Sequence, residues 1–312
     1  MAGQRGAKQS AHTGHDMSAY FGELLVILSA VCFGLMPFLA KIIEAHGGDA
    51  YMAAFGRFFF GGLMLLAVLL PRGVSVLRLD GRQFSAVFLL SVFYAVTPIL
   101  LYSSYRYMDS GLATTLHFTF PVMVLVLAAL LFRVRPDVRQ VVCVLVCVAG
   151  VSRLSLGGAM DETGIALSVL SGVTYALYIV FLDKSKLHGL PVLVIAFWLS
   201  VLASAEIAAG AALTGNFRLP TDTAAWLAMA ALAFVSTVLG LVLFQKGLLY
   251  CGAVRASLLS AFEPLTSVFV GCLVFHEVLS PSSAFGIFCI LSAGVLLVFP
   301  ASPALSGQDG QS

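Results

Sequence analysis

Ten apolar stretches follow one another along the chain, separated by short breaks that carry charged, glycine or proline residues. About 20 apolar residues in a helix that rises ~1.5 Å per residue cross the hydrocarbon core of a bilayer. The pattern therefore predicts ten membrane-spanning helices, the fifth being the shortest because Arg153 is expected to end it early. The expected segments are Phe21 to Ile43, Tyr51 to Leu70, Phe84 to Tyr107, Gly111 to Phe132, Val141 to Leu154, Thr163 to Leu182, Val192 to Leu213, Ala225 to Leu249, Val254 to Phe275, and Ser282 to Phe299.

The first five segments resemble the last five. A shift of 142 residues places the LSAV that starts at Leu28 over the LSGV that starts at Leu170, and a shift of 143 places Pro121 over Pro264. A nearly constant offset across successive segments indicates an internal repeat of five helices. Because five is odd, the second copy must enter the membrane from the opposite face.

The repeat fixes the expected organisation. We predict a polar N-terminal tail (1–20), a first five-helix repeat (21–156), a second five-helix repeat (163–300) and a C-terminal tail (301–312). The expected fold class is an all-α integral membrane protein with two inverted repeats. Two such copies can exchange roles, which gives inward-open and outward-open states around a site near the membrane midplane.

Charge orients the chain. Charged residues make up 10% of the chain and hydrophobic residues 60%, whereas a soluble domain carries roughly a quarter charged residues. With the N-terminus inside, twelve of the 17 Lys and Arg residues fall on the inner side and four, Lys41, Arg106, Arg153 and Arg218, on the outer side. Because cytoplasmic connections retain positive charge, both termini are predicted to be cytoplasmic, in a multi-pass protein of the inner (plasma) membrane. The net charge of +2 gives no reason to expect a nucleic-acid partner.

Enzyme signatures are missing from the sequence. It contains no HExxH, no GxSxG and no Walker-type phosphate loop. The six cysteines lie in or beside apolar segments without a CxxC pair, as is typical of small core residues. We therefore expect no catalytic residues, no metal and no cofactor, and no cleaved leader.

Four prolines inside the predicted segments are candidate helix breaks: Pro37, Pro98, Pro121 and Pro264. Each removes one backbone hydrogen bond and leaves a carbonyl free, which is tolerated only beside protein or a wet cavity. Pro121 and Pro264 occupy matching positions of the two copies. Matched breaks are typical of substrate sites in inverted-repeat transporters, and the alternative is a packing kink without ligand contact.

Two ionisable side chains lie close to the matched prolines. Counting ~1.5 Å per residue, His117 falls ~12 Å from the outer boundary and Glu263 ~14 Å from the inner boundary, near the centre of a ~30 Å slab. An ionisable group at that depth is costly unless it faces a cavity or a partner. Glu263 could bind a substrate ammonium or carry a coupling proton, and His117 could do either. The alternative for both is a neutral side chain hydrogen-bonded to a neighbouring helix.

Aromatic, thioether and hydroxyl side chains at similar depth complete a candidate central cavity. Most aromatic residues of membrane helices only pack or anchor at the interface, and that is the alternative for each of them. Phe33 and Tyr175 share a repeat position, which favours both. Besides His117 and Glu263, the candidate substrate-binding residues are Phe33, Met36, Tyr94, Thr97, Tyr175, Tyr178, Thr237 and Ser260.

Two further features inside the spans predict contacts. Arg57 lies ~9 Å from the outer surface and Glu206 at a comparable depth, so the two are a candidate ion pair. Equal depth does not establish contact, and either could snorkel or face a cavity instead. Gly286 and Gly294, eight residues apart, form a small face that could pack a helix or a second protomer. A homodimer is therefore a candidate assembly.

Four short motifs and the order of the segments carry a family resemblance. The motifs are LSAV and LSGV at the starts of the copies, Arg57-Phe58, the run SLLSAFEP from Ser257 to Pro264, and Phe275-His276-Glu277. In these features the chain resembles the drug/metabolite transporter superfamily, in its ten-helix EamA-type branch. The resemblance implies a small metabolite as substrate, such as an amino acid or a related organic compound, and export more often than import. It leaves open the substrate and the coupling to a proton or a counter-substrate.

The two halves differ where the family motifs are acidic. The first copy ends Phe132-Arg133-Val134, where the family usually has an acidic residue like Glu277, and no acidic residue precedes Pro121 as Glu263 precedes the second proline. The roles of both glutamates are therefore asymmetric. We hypothesise a secondary transporter that works by alternating access without ATP. The alternatives are an intramembrane enzyme or a lipid-linked carrier with the same bundle; a channel would be expected to repeat rings of polar residues.

Overall fold

A computed structural model of the protein describes residues 20–73, 78–133, 136–156, 161–185, 187, 189–215, 218–244, 246–247, 250 and 259–298. These residues are helical apart from short connections, and they contain no β-strand. Seven of the helices are long and apolar enough to cross a membrane. The prediction of an all-α, multi-pass membrane protein is confirmed at this level. The polar tails and the first residues of the SLLSAFEP motif lie outside the described residues.

We number the described helices in chain order and count segments joined by a short turn as one helix. They are α1 (Tyr20–Ala45, with a turn at Leu35), α2 (Ala50–Leu69), α3 (Gly81–Ser104), α4 (Ser110–His117 and Phe120–Phe132), α5 (Val138–Leu156), α6 (Glu162–Lys184), α7 (Val192–Thr214), α8 (Thr223–Phe244), α9 (Phe262–Val274) and α10 (Pro281–Val298). A 3-10 turn, Leu70–Arg72, follows α2, and residues Phe234–Gly240 of α8 are π-helical.

The bounds of α5 correct one expectation. Arg153 does not end this helix, which has 19 residues and continues to Leu156. It also begins earlier than predicted, because Asp137 caps it: the Gln140 backbone N–H donates to the Asp137 carboxylate at 2.7 Å, and the Asp137 N–H donates to the Gln140 side chain at 2.9 Å. Reciprocal capping of this kind satisfies backbone donors that would otherwise be unpaired at a helix start.

Aspartates also begin other helices. Asp49 accepts a hydrogen bond from the Met52 N–H at 2.8 Å at the start of α2, and Asp222 accepts one from Ala225 at 3.1 Å at the start of α8. A side-chain carboxylate at this position satisfies a free N–H and faces the positive end of the helix dipole. The few acidic residues of the chain are therefore placed largely at helix ends.

The outer surface of the bundle is apolar and its interior holds small polar side chains. Leu130, Phe269 and Phe288 are 72%, 65% and 67% exposed, while Ser91 and Thr115 are fully buried. Apolar side chains gain nothing by avoiding lipid tails, whereas hydroxyl groups need hydrogen-bond partners inside the bundle. This distribution fits a protein whose solvent is a bilayer.

The ends of several helices meet on one side of the bundle, which we call face A. Arg106, just after α3, pairs with Glu44 near the end of α1, and the His46 ring lies 3.9 Å from the carboxylate of Asp222, just before α8. Gly164, in the first turn of α6, lies against Tyr107. Face A therefore collects the ends of α1 and α3 with the starts of α2, α6 and α8.

The small-residue face of α10 is used within the chain. A Cβ added at Gly294 would lie 3.1 Å from the ring of Phe118 in α4, and one added at Gly150 in α5 would lie 3.0 Å from the carbonyl of Gly286. Glycines at these positions let the helices approach closely. The face proposed for a second protomer thus packs against α4 and α5.

Candidate functional site

Each of the matched prolines follows shortly after a turn. α4 has a turn at Phe118–Thr119 and resumes with Pro121 in its first turn, and α9 begins after a turn at Ser260–Ala261 with Pro264 in its first turn. Proline is tolerated in a first helical turn because the N–H it lacks would have no partner there. Pro37 stands in the same way after the turn in α1. The interruptions bring non-helical backbone to the interior of the bundle.

Pro98 is different, and the prediction that it breaks its helix is wrong. α3 runs without interruption from Gly81 to Ser104 with this proline inside it. The ring removes only the hydrogen bond to the carbonyl of Tyr94, and the Thr97 hydroxyl donates to the carbonyl of Phe93 at 2.8 Å. Neighbouring helices cover this stretch, so one lost bond is tolerated.

A chain of aromatic rings crosses the bundle from α2 to α4. Phe58 lies 5.1 Å from Tyr94, whose ring stacks on Tyr178 at 4.9 Å between centroids. Tyr178 stacks on Tyr175 at 5.8 Å, and Tyr175 lies 5.5 Å from the ring of His117. Ring pairs at these distances attract each other beyond simple burial. Four of the predicted cavity residues are therefore in one continuous cluster.

His117 is held by α6. Its Nδ1 lies 2.9 Å from the hydroxyl of Ser171, and that hydroxyl donates to the carbonyl of Ser168 at 2.6 Å. Because the hydroxyl proton is used in this way, we assign Nδ1 as the donor to Ser171, which leaves Nε2 as the acceptor of a neutral ring. The structural alternative for His117, a hydrogen bond to a neighbouring helix, is thus present, and the ring also joins the aromatic chain.

Arg57 lies at the α2 end of the aromatic chain. Its side chain is 7% exposed, and its Nη2 donates to the Tyr94 hydroxyl at 3.4 Å. The guanidinium also lies 5.3 Å from the centroid of Phe58 and interacts electrostatically with Tyr102. Cation–π contacts of this kind stabilise a buried cation in part.

The candidate pair between Arg57 and Glu206 is not formed. Glu206 in α7 instead accepts a hydrogen bond from the Ser91 hydroxyl of α3 at 2.6 Å. Among the described residues the ion pairs are Lys41 with Glu277, Arg106 with Glu44, and His46 with Asp222. Equal depth was a poor guide because the two side chains point to different neighbours.

Glu263 lies at the start of α9 and is half-buried. The positive charge of Arg57 acts on it, although the two groups are not within the distance of a direct ion pair. No hydrogen bond reaches its carboxylate from the residues that the structure describes. A carboxylate without local partners in a protein interior is a candidate to bind a ligand or a proton.

We call Arg57, Tyr94, Tyr102, His117, Tyr175, Tyr178 and Glu263 the central cluster. It draws on α2, α3, α4, α6 and α9, and so on both halves of the chain. The other candidates lie around it. Phe33 packs against Gly240, Thr237 against Gly61, Thr97 bonds to Thr174 at 2.8 Å, Met36 approaches the Tyr102 hydroxyl at 4.0 Å, and Ser260 is in the turn before α9.

Sequence reasoning missed two members of the site. Tyr102 lies two turns beyond Tyr94 on α3, and this spacing of about two helical turns was an available signal. Ser171, the partner of His117, stood in the repeated LSGV motif, but nothing in that motif pointed to a histidine, because a serine in a membrane helix usually bonds to its own backbone.

A second polar centre lies on face A and joins three helices. The Glu277 carboxylate, just after α9, accepts hydrogen bonds from Lys41 of α1 at 2.6 Å and from the Ser110 hydroxyl of α4 at 2.7 Å. The backbone N–H groups of Ser110 and Gly111 also donate to it, at 3.0 and 3.3 Å. A carboxylate at a helix start is favoured by the free N–H groups and by the helix dipole. We call Lys41, Ser110 and Glu277 the latch.

Hydrogen bonding controls the charge of the latch. Burial raises the pKa of Glu277, but the bonds from Lys41 and Ser110 outweigh burial and hold the pKa below its ordinary value. The carboxylate is therefore ionised at neutral pH and forms a charge-assisted pair with Lys41. The Lys41 ammonium also lies 4.3 Å from the centroid of the Phe275 ring.

Two narrow grooves lie near face A. One is lined by residues next to the latch, including Asp109, Leu112 and Val268. The other lies between α1, α2 and α3, and its lining runs from Glu44 past Ala53 to Tyr102 of the central cluster. The helices are closely packed at both grooves.

Comparisons with known proteins give a consistent picture. Residues 20–156 and again residues 162–299 match the family model described as the EamA-like transporter family. An uncharacterized transporter of Archaeoglobus fulgidus is 28% identical over 279 residues, which cover 89% of this chain and 96% of that protein. The uncharacterized transporter YvbV of Bacillus subtilis is 26% identical over 283 residues, covering 86% and 89%. A protein of known crystal structure, 17% identical, covers 88% of this chain and 95% of its own with a TM-score of 0.63, and shares the fold.

Proposed function

Because the chain belongs to the EamA-like transporter family, we propose that it is a secondary active transporter that moves a small organic metabolite through the central cluster by alternating access. The membership confirms the resemblance predicted from the sequence and the general role of a membrane transporter. An amino acid or a related compound is the proposed substrate, efflux the proposed direction, and the inner (plasma) membrane the proposed location.

The central cluster is the observation that carries the proposal. Charged, aromatic and hydroxyl side chains of both halves converge there beside interrupted helices, and such polar groups are costly inside a membrane protein unless they bind something. An intramembrane enzyme or a lipid-linked carrier is the alternative. Neither is favoured by a specific observation: the Ser171 hydroxyl that lies beside His117 donates its proton to the carbonyl of Ser168 and not to the imidazole, as an activated nucleophile would.

Helix directions support two inverted repeats. α1 and α3 end on face A, whereas α6 and α8, their counterparts in the second half, begin there. α4 begins on face A and its counterpart α9 ends there, because Ser110 and Glu277 meet in the latch. In these three pairs each helix runs opposite to its proposed copy, as two halves related by an in-plane two-fold axis require.

Backbone geometry supports the same relation. Arg133 and His276 are the non-glycine residues with positive φ among the described residues, at 55° and 54°. They follow the ends of α4 and α9, and they stand 143 positions apart, which is the offset between Pro121 and Pro264. A left-handed residue of this kind is uncommon outside glycine, so its recurrence at matched positions is informative. We propose residues 21–156 and 163–300 as the two repeats of a ten-span bundle.

Topology can be measured by cysteine labelling. In a variant that lacks the six native cysteines, we expect a cysteine at Arg133 to react with a membrane-impermeant maleimide only from the cytoplasmic side. A cysteine at Arg218 should react only from the opposite side, because an odd number of spans separates the two loops. Labelling of both positions from one side would contradict the ten-span arrangement.

A flux screen tests the function itself. The purified protein in liposomes is expected to transport at least one member of a panel of amino acids, sugars and nucleosides, with saturation, and the rate should respond to an imposed proton gradient if a proton is coupled. Empty liposomes and liposomes with heat-denatured protein are the controls. Absence of saturable flux for every class would contradict the proposal.

A further inference from the structure

The buried guanidinium of Arg57 lacks an anionic partner. Its side chain is 7% exposed and its Nε has no hydrogen-bond partner among the described residues. The groups that surround it are the phenols of Tyr94 and Tyr102 and the ring faces of Tyr94 and Phe58, and none of them is an anion. Arginine presents donors in a planar fork that fits a carboxylate with two parallel hydrogen bonds. The Nε donor of this fork is buried without an acceptor among the described residues.

The contacts of Arg57 do not fully offset the free-energy cost of burying its charge. Contacts with ring faces and with the neutral phenols of Tyr94 and Tyr102 offset only part of the desolvation of a buried cation. The acidic group of the cluster, Glu263, acts on Arg57 through space but does not approach it to within 4 Å, the limit that the three ion pairs of the described residues meet. The positive charge of Arg57 is therefore compensated from a distance and not by contact.

The part of face A nearest to this group is a groove between α1, α2 and α3. The groove is lined by Ala53, one turn before Arg57 on α2, and by Tyr102, which interacts with the guanidinium. Ala40, Ala50 and Ala53 contribute small side chains to it. The groove is closed to a solute in this state, so access to Arg57 from face A requires these helices to separate.

We propose that Arg57 is the anion-binding residue of the central cluster and that the transported compounds carry a carboxylate, which the Arg57 guanidinium recognises. The inference rests on the transport function proposed above and narrows its substrate class. A carboxylate suits the site better than a phosphate, because a dianion would leave one negative charge uncompensated beside Glu263 in a poorly solvated interior. Glu263 is then placed to accept a cationic or neutral part of the same compound.

The test is ligand binding measured apart from transport. Probes are matched acids and amides, namely leucine with leucinamide, lactate with lactamide and nicotinate with nicotinamide, and glycerol 3-phosphate represents phosphates. Binding is read as a rise in the unfolding temperature of the detergent-purified full chain. At least one acid is expected to stabilise the wild type, with affinity about tenfold or more above that of its amide.

Variants assign the effect to Arg57. Arg57→Gln is expected to weaken acid binding about 10- to 100-fold, as loss of a charged hydrogen-bonded contact implies. Arg57→Lys, which keeps the charge but not the fork, should bind the acid with intermediate affinity, and it keeps the test decisive if the glutamine variant does not fold. Arg106→Gln, which removes an exposed guanidinium on face A, should bind as the wild type does.

Each outcome decides between the two proposals. Unchanged acid binding in Arg57→Gln, equal binding of acid and amide, or no binding of any acid overturns the anion site, and stronger binding of glycerol 3-phosphate overturns the choice of carboxylate. Arg57-dependent acid binding without any flux leaves the anion site standing and contradicts the transport function. Saturable flux of neutral compounds that is unaffected in Arg57→Gln supports the transport function and contradicts the anion site.

Discussion

Transport by the Glu263→Gln variant is expected to fall about 10- to 100-fold, with membrane insertion and expression unchanged. The substitution keeps the size of the side chain but removes its charge and its capacity to carry a proton. Losing one charge-assisted contact in a poorly solvated site corresponds to roughly 1.5–3 kcal/mol, and each 1.4 kcal/mol is about tenfold. The measurement is initial uptake into proteoliposomes that contain equal amounts of each protein.

Glu206→Gln is the matched control for this variant. Glu206 is also a carboxyl inside a membrane helix, but it bonds to Ser91 and lies outside the central cluster. Its replacement is expected to change flux less than about twofold, because a glutamine oxygen can still accept the hydrogen bond. Wild-type flux in Glu263→Gln would remove Glu263 from the mechanism, and an equal loss in both variants would mean that any buried carboxyl matters.

Replacing Glu277 by alanine is expected to cost about 3 kcal/mol of stability, since removal of one partner leaves the other polar groups of the latch unpaired. The Glu277 side chain is 8% exposed and Lys41 21%. Glu44→Ala is the control on the same face, because its pair with Arg106 is more exposed, at 32% and 47%, and such pairs contribute about 1 kcal/mol or less. Thermal unfolding in detergent, followed by circular dichroism, compares the two.

The stabilising effect of the latch should depend on pH with a defined sign. The folded-state pKa of Glu277 lies below its ordinary value, so its contribution is complete above the unfolded-state pKa of about 4.3 and is lost as the pH falls through the folded-state pKa. The difference between wild type and Glu277→Ala should therefore be constant from pH 7 down to about pH 5 and shrink in stronger acid. A difference that does not shrink, or equal unfolding temperatures of Glu277→Ala and Glu44→Ala, would contradict the latch.

The carboxylate of the latch has no acidic equivalent at the matched position of the first half. Its counterpart in the first half would follow Arg133, where the chain continues with valine and not with glutamate. A carboxylate on face A and a valine between two arginines at the matched position imply that the two faces open at different free-energy cost. The asymmetry noted between the halves thus has a structural correlate on face A.

Much of the fold could be predicted from the sequence, because hydrophobic length and helical order are local properties. The predicted bounds of α5 were wrong because a pattern of apolar residues does not reveal the cap that Asp137 and Gln140 form, nor that the last turn of the helix can contain Arg153. The predicted break at Pro98 was wrong because the effect of a proline on its helix depends on the helices around it. Local pattern locates helices better than it locates their irregularities.

The site could be predicted only in part. Depth along each helix selected His117, which is buried, and Glu263, which is half-buried, since depth follows from counting residues. Depth could not choose the partner of Arg57, because the direction in which a side chain points depends on how the helices rotate against one another. The cluster around Arg57 and the latch around Glu277 both depend on contacts between helices far apart in sequence.

Counterflow in proteoliposomes tests the central claim most directly, that the central cluster is opened alternately to the two sides of the membrane. Liposomes are loaded with an unlabelled solute identified by the flux screen, and the uptake of the labelled solute is followed from outside. The account predicts that internal solute accelerates uptake of the labelled solute severalfold and that labelled solute accumulates transiently above its external concentration. Uptake that is indifferent to the internal solute and does not saturate would contradict alternating access and indicate a channel.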